Sequence, residues 1–299
     1  MQKIIPHLWF DRNAKEATEF YVSAFTNSKI MSMRTLHNTP SGDCDVIYFN
    51  LSGCSFMAIS AGPYFKINPS ISFMVNFDQS RDKNAQEHLD ELWNRLSGDG
   101  KILMPLQEYP FSKHYGWVED KYGVSWQLIT NSDKEERPFI VPSLMFTGND
   151  AGKAEEATNF YLSLFKDSKR GTIAYYSADT EYDKEGTVMF TDYQIAGQWF
   201  AAMDSAYKHS FFFNEAVSLI VLCETQDEIN YYWQQLSAVP ESEQCGWVKD
   251  KYGVSWQIVP RKMNEMMRHG SEEQIDRLTQ AFLPMKKMDI ATLEKAFKG

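Results

Sequence analysis

The sequence predicts an α+β fold: two tandem domains, each of paired βαβββ units, followed by a C-terminal helical tail. Three observations lead there. Residues 116–129, GWVEDKYGVSWQLI, recur at 246–259 as GWVKDKYGVSWQIV with eleven of fourteen positions identical, which marks a duplicated unit. Residues 16–29, EATEFYVSAFTNSK, recur at 156–169 with nine of fourteen identical. Within each copy the apolar period alternates between strand and helix as β-α-β-β-β and then begins again. The expected division is a first domain at 1–130, a linker at 131–138, a second domain at 139–260 and a tail at 261–299 packing on that second domain.

The elements follow in order. Residues 4–10 are β-branched and aromatic and read as a strand. Asn13 and Glu16 have capping-box spacing for a helix whose apolar face is Ala17, Phe20, Tyr21, Ala24 and Phe25. Strands are expected around 30–37, 45–51 and 54–60, joined by Pro40-Ser41-Gly42 and Ser52-Gly53. The second unit has a strand at 71–77, a helix at about 82–97, a strand at 101–106 and the hairpin of 116–129. Its turn is Asp120-Lys121-Tyr122-Gly123, where Gly accepts a positive φ and Asp bonds its own backbone. The polar stretch NSDKEERP is the linker. The second copy then repeats the first, except that about ten residues are missing before Cys245, which predicts a lost or shortened edge strand. In the tail, Ser271 to Gln274 is a capping box for a helix that Pro284 ends, and Asp289 caps a last helix.

Composition narrows the function. With 43% hydrophobic residues the chain is globular, and a net charge of −10 argues against nucleic acid or an anionic membrane as the main partner. No apolar run approaches the ~18 residues of a membrane span, and MQKIIPHLWF enters a strand without signal-peptide shape. Cys44, Cys54, Cys223 and Cys245 form no C-x-x-C pair, and the cytoplasm is the expected compartment. There is no G-x-S-x-G, P-loop or G-x-G-x-x-G. Of six histidines none has metal-ligand spacing; His7, on the first strand, and His114, before the hairpin, are the two placed to reach a cavity. Trp126 and Trp256 alternate with Gln127 and Gln257, so tryptophan and glutamine take opposite faces of their strands. A buried carboxamide needs partners. Gln127, His114, His7, Trp117 and Gln257 are therefore the candidate ligand contacts, with no metal ligand and no catalytic residue assigned.

The repeat, the opening E-A-x-x-F-Y-x-x-x-F and the closing W-V-x-D-K-Y-G-V-S-W-Q resemble the PhnB-like branch of the vicinal oxygen chelate superfamily. Members of that branch are often labelled 3-demethylubiquinone-9 3-methyltransferase; the superfamily includes glyoxalase I, extradiol dioxygenases and antibiotic-resistance proteins. The resemblance implies a curved sheet enclosing a pocket, with the two domains packed as an intramolecular pseudo-dimer. It also implies metal-ligand positions at Ile5 or Pro6, Met57 or Ala58, Ser70 or Ser72 and Gln127. In the second copy these fall at Val141 or Pro142, Ala202 to Asp204, Ala216 or Ser218 and Gln257. One neutral amide in each set makes a weak metal site, so no cofactor is expected. A methyltransferase sheet with a Gly-rich first turn is lacking as well. The expected function is small-molecule binding by a metal-poor protein, with Gln127 and His114 as polar contacts. The rival is a lyase or oxygenase whose metal is recruited by His7, Gln127 and substrate oxygens. The missing residues before Cys245 place the functional pocket in the first domain, with Gln257 structural.

Overall fold

The computed structural model describes residues 2–131 and 137–299; residues 132–136 of the expected linker lie outside them. The first copy runs β1 (Ile4–Phe10), α1 (Ala14–Ala24), β2 (Lys29–Thr39), β3 (Gly42–Leu51), β4 (Cys54–Ser60), β5 (Ile71–Asp78), α2 (Ala85–Ser97), β6 (Lys101–Tyr109), β7 (Ser112–Glu119) and β8 (Ser125–Asn131). The second runs β9 (Ile140–Thr147), α3 (Ala154–Leu164), β10 (Lys169–Tyr175), β11 (Val188–Ile195), β12 (Gln198–Ser205), β13 (Val217–Cys223), α4 (Gln226–Leu236), β14 (Trp247–Lys249) and β15 (Ser255–Pro260). Three tail helices follow, α5 (Arg261–His269), α6 (Glu272–Phe282) and α7 (Ile290–Lys298). The shortened second copy has no counterpart of β6, and β14 keeps three residues where β7 has eight.

The two mixed sheets do not follow the two copies. One sheet of seven strands has the order β14-β15-β13-β1-β4-β3-β2, and the other, of eight, has β10-β11-β12-β9-β5-β8-β7-β6. Each unit is internally paired in the same way, with its first and last strands parallel, as β1 with β4 and β5 with β8. The units are then exchanged between copies: β1 pairs antiparallel with β13, and β5 with β9. Each sheet thus joins one unit of the first copy to one unit of the second.

Between the sheets lies a core of helix faces and aromatic rings. Trp126 and Trp256 are fully buried; Tyr21 of α1 and Phe25 just after it pack on Trp126, and Tyr161 of α3 and Phe165 just after it on Trp256. The two repeated turns lock these indoles. Asp250 accepts from the amides of Tyr252 and Val254 with one oxygen, and from Trp256 Nε1 (2.9 Å) and Tyr161 OH (2.8 Å) with the other. Asp120 holds Tyr122, Val124 and Trp126 Nε1 alike. Burial pushes both carboxyls up to about 6, against the hydrogen bonds that favour their charged forms. These aspartates belong to the scaffold.

One helix start differs from expectation. Asn13 makes no side-chain cap; the first free amide of α1, Ala14 N, donates instead to Ser60 Oγ at the end of β4. At the same place in the second copy Asp204 accepts from Gly152 N and Ala154 N. A neighbouring strand end supplies the acceptor that the local sequence appeared to offer. In the tail, Ser271 and Gln274 form the expected capping box, and Asp289 accepts from Thr292 N. The tail is not confined to the second copy. Helix α5 packs on β15 and also on β2, and α6 packs on β2, so the tail spans from one side of the seven-stranded sheet to the other.

Candidate functional site

The site is built on the face of the seven-stranded sheet that turns away from Trp256. Strand alternation puts His7 of β1, Met57 of β4, Ser218 of β13 and Gln257 of β15 on that face. In register, His7 lies between Met57 and Ser218, and Gln257 lies between Ile220 and Trp247. Gln257 Nε2 donates to Ser218 Oγ at 2.9 Å, and Ser218 Oγ stands 3.3 Å from His7 Nδ1. The imidazole is 1% exposed, and desolvation lowers its pKa to about 3. His7 is therefore neutral near neutral pH. Its ring meets Trp247 edge-on at 5.3 Å, and Trp9 meets the same indole at 6.1 Å.

Above this floor is a cavity of about 440 Å³, lined by apolar groups for most of its surface. Its walls include Trp9, Tyr48 and Trp247, and its roof is the tail, through Met263, Met267 and Phe282. Tyr48 OH donates to Asn264 Oδ1 at 2.8 Å, which ties α5 to β3 across the cavity. Cys245 N and Gly246 N donate to the carbonyls of Met285 and Lys286, each at 2.7 Å, and fasten the segment after α6 to the start of β14. The tail thus supplies the wall that the missing strand takes away. Sequence reading missed α5; its signal was Met263, Met266 and Met267 at i, i+3 and i+4 directly after Pro260.

The corresponding face of the eight-stranded sheet carries Ser143 of β9, Ala201 of β12, Ser72 of β5 and Gln127 of β8. Ser143 lies in register with both Ala201 and Ser72. Here Gln127 is saturated: Nε2 donates to Ser72 Oγ at 2.7 Å, and Oε1 accepts from Tyr115 OH at 2.8 Å. Tyr115, Trp117 and Met145 fill this part of the face. Trp117 Nε1 is spent on Ser125 Oγ. In the second copy Tyr115 is replaced by Cys245. Among the described residues Gln257 Oε1 consequently has no hydrogen-bond partner. Further along the eight-stranded sheet a more polar groove holds the Arg137–Asp192 ion pair (2.8 Å), with the guanidinium 3.7 Å over Trp199.

These placements revise the sequence reading. His7 and Gln257 come together; Gln127 and Trp117 lie on the other sheet, so His7 and Gln127 do not share a site. His114 sits on the opposite face of β7 from Tyr115 and bonds Asp90 of α2 at 2.6 Å. Of the two glutamines it is Gln257 that lines a cavity, the reverse of the expected asymmetry, because Tyr115 caps Gln127 and the tail roofs Gln257. In the implied ligand set the first-strand position is His7, beyond Ile5 and Pro6, since it is His7 that pairs with Met57 and Ser218. The set then holds a neutral imidazole, a thioether, a hydroxyl and a carboxamide. With one imidazole and no carboxylate or thiolate beside it, the set does not fit a divalent ion. Among the described residues no three His, Cys, Asp or Glu side chains converge elsewhere.

Comparison with known proteins agrees with this architecture. The sequence profile described as 3-demethylubiquinone-9 3-methyltransferase matches residues 2–129 and again 138–259. A PhnB protein from Bacillus cereus is 39% identical over 44% of this chain and all of its own, with a TM-score of 0.39. Glyoxalase I from Zea mays is 12% identical, covers 90% of this chain and 98% of its own, and has a TM-score of 0.52, a likeness of fold. No curated protein matches. Among the described residues no helix is long and apolar enough to cross a membrane. The profile's match to both repeats, over most of the chain, leads to one assignment: the chain belongs to the family described as 3-demethylubiquinone-9 3-methyltransferase, built on a glyoxalase-like fold.

Proposed function

We propose that this protein binds a small, largely apolar molecule in the cavity over the seven-stranded sheet, without a metal and without transferring a methyl group. The observation that carries this reading is the contrast between two faces of common origin. Around Gln127 one is filled by Tyr115, Trp117 and Met145, and its open groove of about 870 Å³ lies beyond them and is mainly polar; the other keeps, over Gln257, an apolar cavity of about 440 Å³ roofed by the tail, a size that suits a drug-sized ligand. Four methionines, Met57, Met263, Met267 and Met288, line it. Their flexible thioethers let such a wall adapt to ligands of differing shape. The donor set at the floor supports the metal-free part of the reading. The sheet order supports leaving out methyl transfer, because neither sheet is the doubly wound parallel kind that binds a dinucleotide or sulfonium at a switch point.

The test is titration with prodan, an uncharged fluorophore that brightens in apolar surroundings. Wild-type protein is expected to bind it saturably at one site, with the same affinity in the presence of a chelator. Met57→Trp, which fills the floor, is expected to weaken binding at least tenfold with the far-ultraviolet circular dichroism unchanged. Absence of saturable binding, or loss of it on chelation, would overturn the reading.

A further inference from the structure

We infer that the cavity selects an uncharged aromatic molecule bearing a hydroxyl or a lactam-type N–H/C=O pair, seated with that group between His7 and Gln257. This rests on the ligand-binding reading above and names its ligand class. The argument starts from proton positions. Ser218 Oγ accepts from Gln257 Nε2, and its only other hydrogen-bond neighbour among the described residues is His7 Nδ1. His7 Nδ1 is the one acceptor within reach of the Ser218 hydroxyl among the described residues, and with that hydrogen on Nδ1 the neutral imidazole carries its proton on Nε2, the tautomer on which this inference is built. His7 Nε2–H and Gln257 Oε1 both lack a hydrogen-bond partner among the described residues, and both residues line the cavity. One donor and one acceptor thus stand on either side of Ser218 in apolar surroundings.

A ligand hydroxyl satisfies both at once, accepting from His7 and donating to Gln257; a lactam does so with its two adjacent atoms. A carboxylate would accept from His7 but set a second negative oxygen against Gln257 Oε1, with no cation at the floor. The cavity's two arginines stand at its β2 and α5 end, three strands from His7, where Arg34 Nη2 donates to the backbone carbonyl of Arg268 (3.0 Å), and Glu215 is paired with Lys249 at 2.6 Å. An ammonium would meet the imidazole N–H. A methyl ether accepts but leaves Gln257 Oε1 buried and unpaired, and an unmade bond at a buried polar atom weakens binding more than the bond itself strengthens it. Trp9 and Trp247, in edge contact with each other, offer the surfaces an aromatic ring packs on.

The experiment competes prodan with naphthol, its methyl ether and naphthoate, all substituted at the same ring carbon, at neutral pH. Prodan has an acceptor carbonyl and no donor, so its own binding does not use Gln257 Oε1. Naphthol is expected to displace it at a concentration about tenfold below the other two, equivalent to about 1.4 kcal/mol. Gln257→Leu is expected to bring naphthol and its ether within about twofold of each other, with prodan gaining affinity as the ether does, since neither acceptor-only ligand then leaves a carboxamide oxygen unpaired. Should Gln257→Leu lose prodan binding, Gln257→Met makes the same comparison with a flexible side chain. Equal displacement by naphthol and its ether in the wild type, or strongest displacement by naphthoate, overturns this inference and leaves the binding reading standing. Failure of prodan itself to bind overturns both.

Discussion

His7 shows how far a single residue can be moved from its ordinary chemistry. The imidazole is buried beneath Trp247 and bonded to Ser218, so protonation would place a cation in an apolar floor, and its pKa falls to about 3. Below its unfolded value of about 6.5 the unfolded chain takes up a proton that the folded chain refuses. His7 therefore favours the folded state fully at neutral pH and progressively less as pH falls from about 6.5 towards 3. Asp120 and Asp250 act with the opposite sign: burial raises their folded values to about 6, above the ordinary 3.8 of an aspartate. Their contribution is most favourable below pH 4 and is lost as pH rises through 6. Replacing His7 by Gln, neutral throughout, isolates the first effect. The unfolding free energy of the wild type relative to His7→Gln is expected to drop by about 1 kcal/mol per pH unit between pH 6 and 4. Urea unfolding at several pH values measures it, and a difference independent of pH would show that the imidazole is protonated within the fold.

At the scale of elements, the helix starts separate local from tertiary capping. Asn13 and Ser271 both stand at capping-box spacing, yet only Ser271 makes the bond, because Ala14 N already finds Ser60 Oγ. Asn13→Ala is expected to change stability by less than about 0.5 kcal/mol, and Ser60→Ala and Ser271→Ala to cost about 1 kcal/mol each. Denaturation midpoints decide the matter, and a cost at Asn13 equal to that at Ser60 would refute the assignment. The same scale explains the tail. Where the eight-stranded sheet ends in β6 and β7, the seven-stranded sheet stops at a three-residue β14. The tail then turns from β15 onto β2, with its apolar residues Met263, Met267 and Phe282 over the cavity. The space left beside the short β14 is thereby roofed by α5 and the end of α6.

For the whole molecule, the exchanged sheets set what can fold alone. Residues 1–131 contain β1 and β5, whose antiparallel partners β13 and β9 belong to the other copy. Isolated, this half would carry two unpaired inner strands, an arrangement that a second copy can relieve by two-fold pairing of β1 with β5. Expressed by itself, the first half is expected to sediment as a homodimer of twice its chain mass. A folded monomer with native circular dichroism would contradict the dependence of each sheet on both halves.

Much of this was legible along the chain. The duplicated 116–129 and 246–259 segments, the order of strands and helices, and the opposite faces of tryptophan and glutamine all arise from residues close in sequence, where period and turn chemistry act directly. Asp120 and Asp250 were recognisable as turn residues for the same reason. Which glutamine meets an open space was not. That depended on β1 pairing with β13, on Tyr115 reaching Gln127 where Cys245 cannot reach Gln257, and on α5 crossing to β2. Hydrophobic alternation determines which face of a strand is buried, but it is nearly blind to which distant strand will lie alongside. Pairing between remote strands is selected by the fit of whole faces in the assembled core, and only the tertiary structure carries that information.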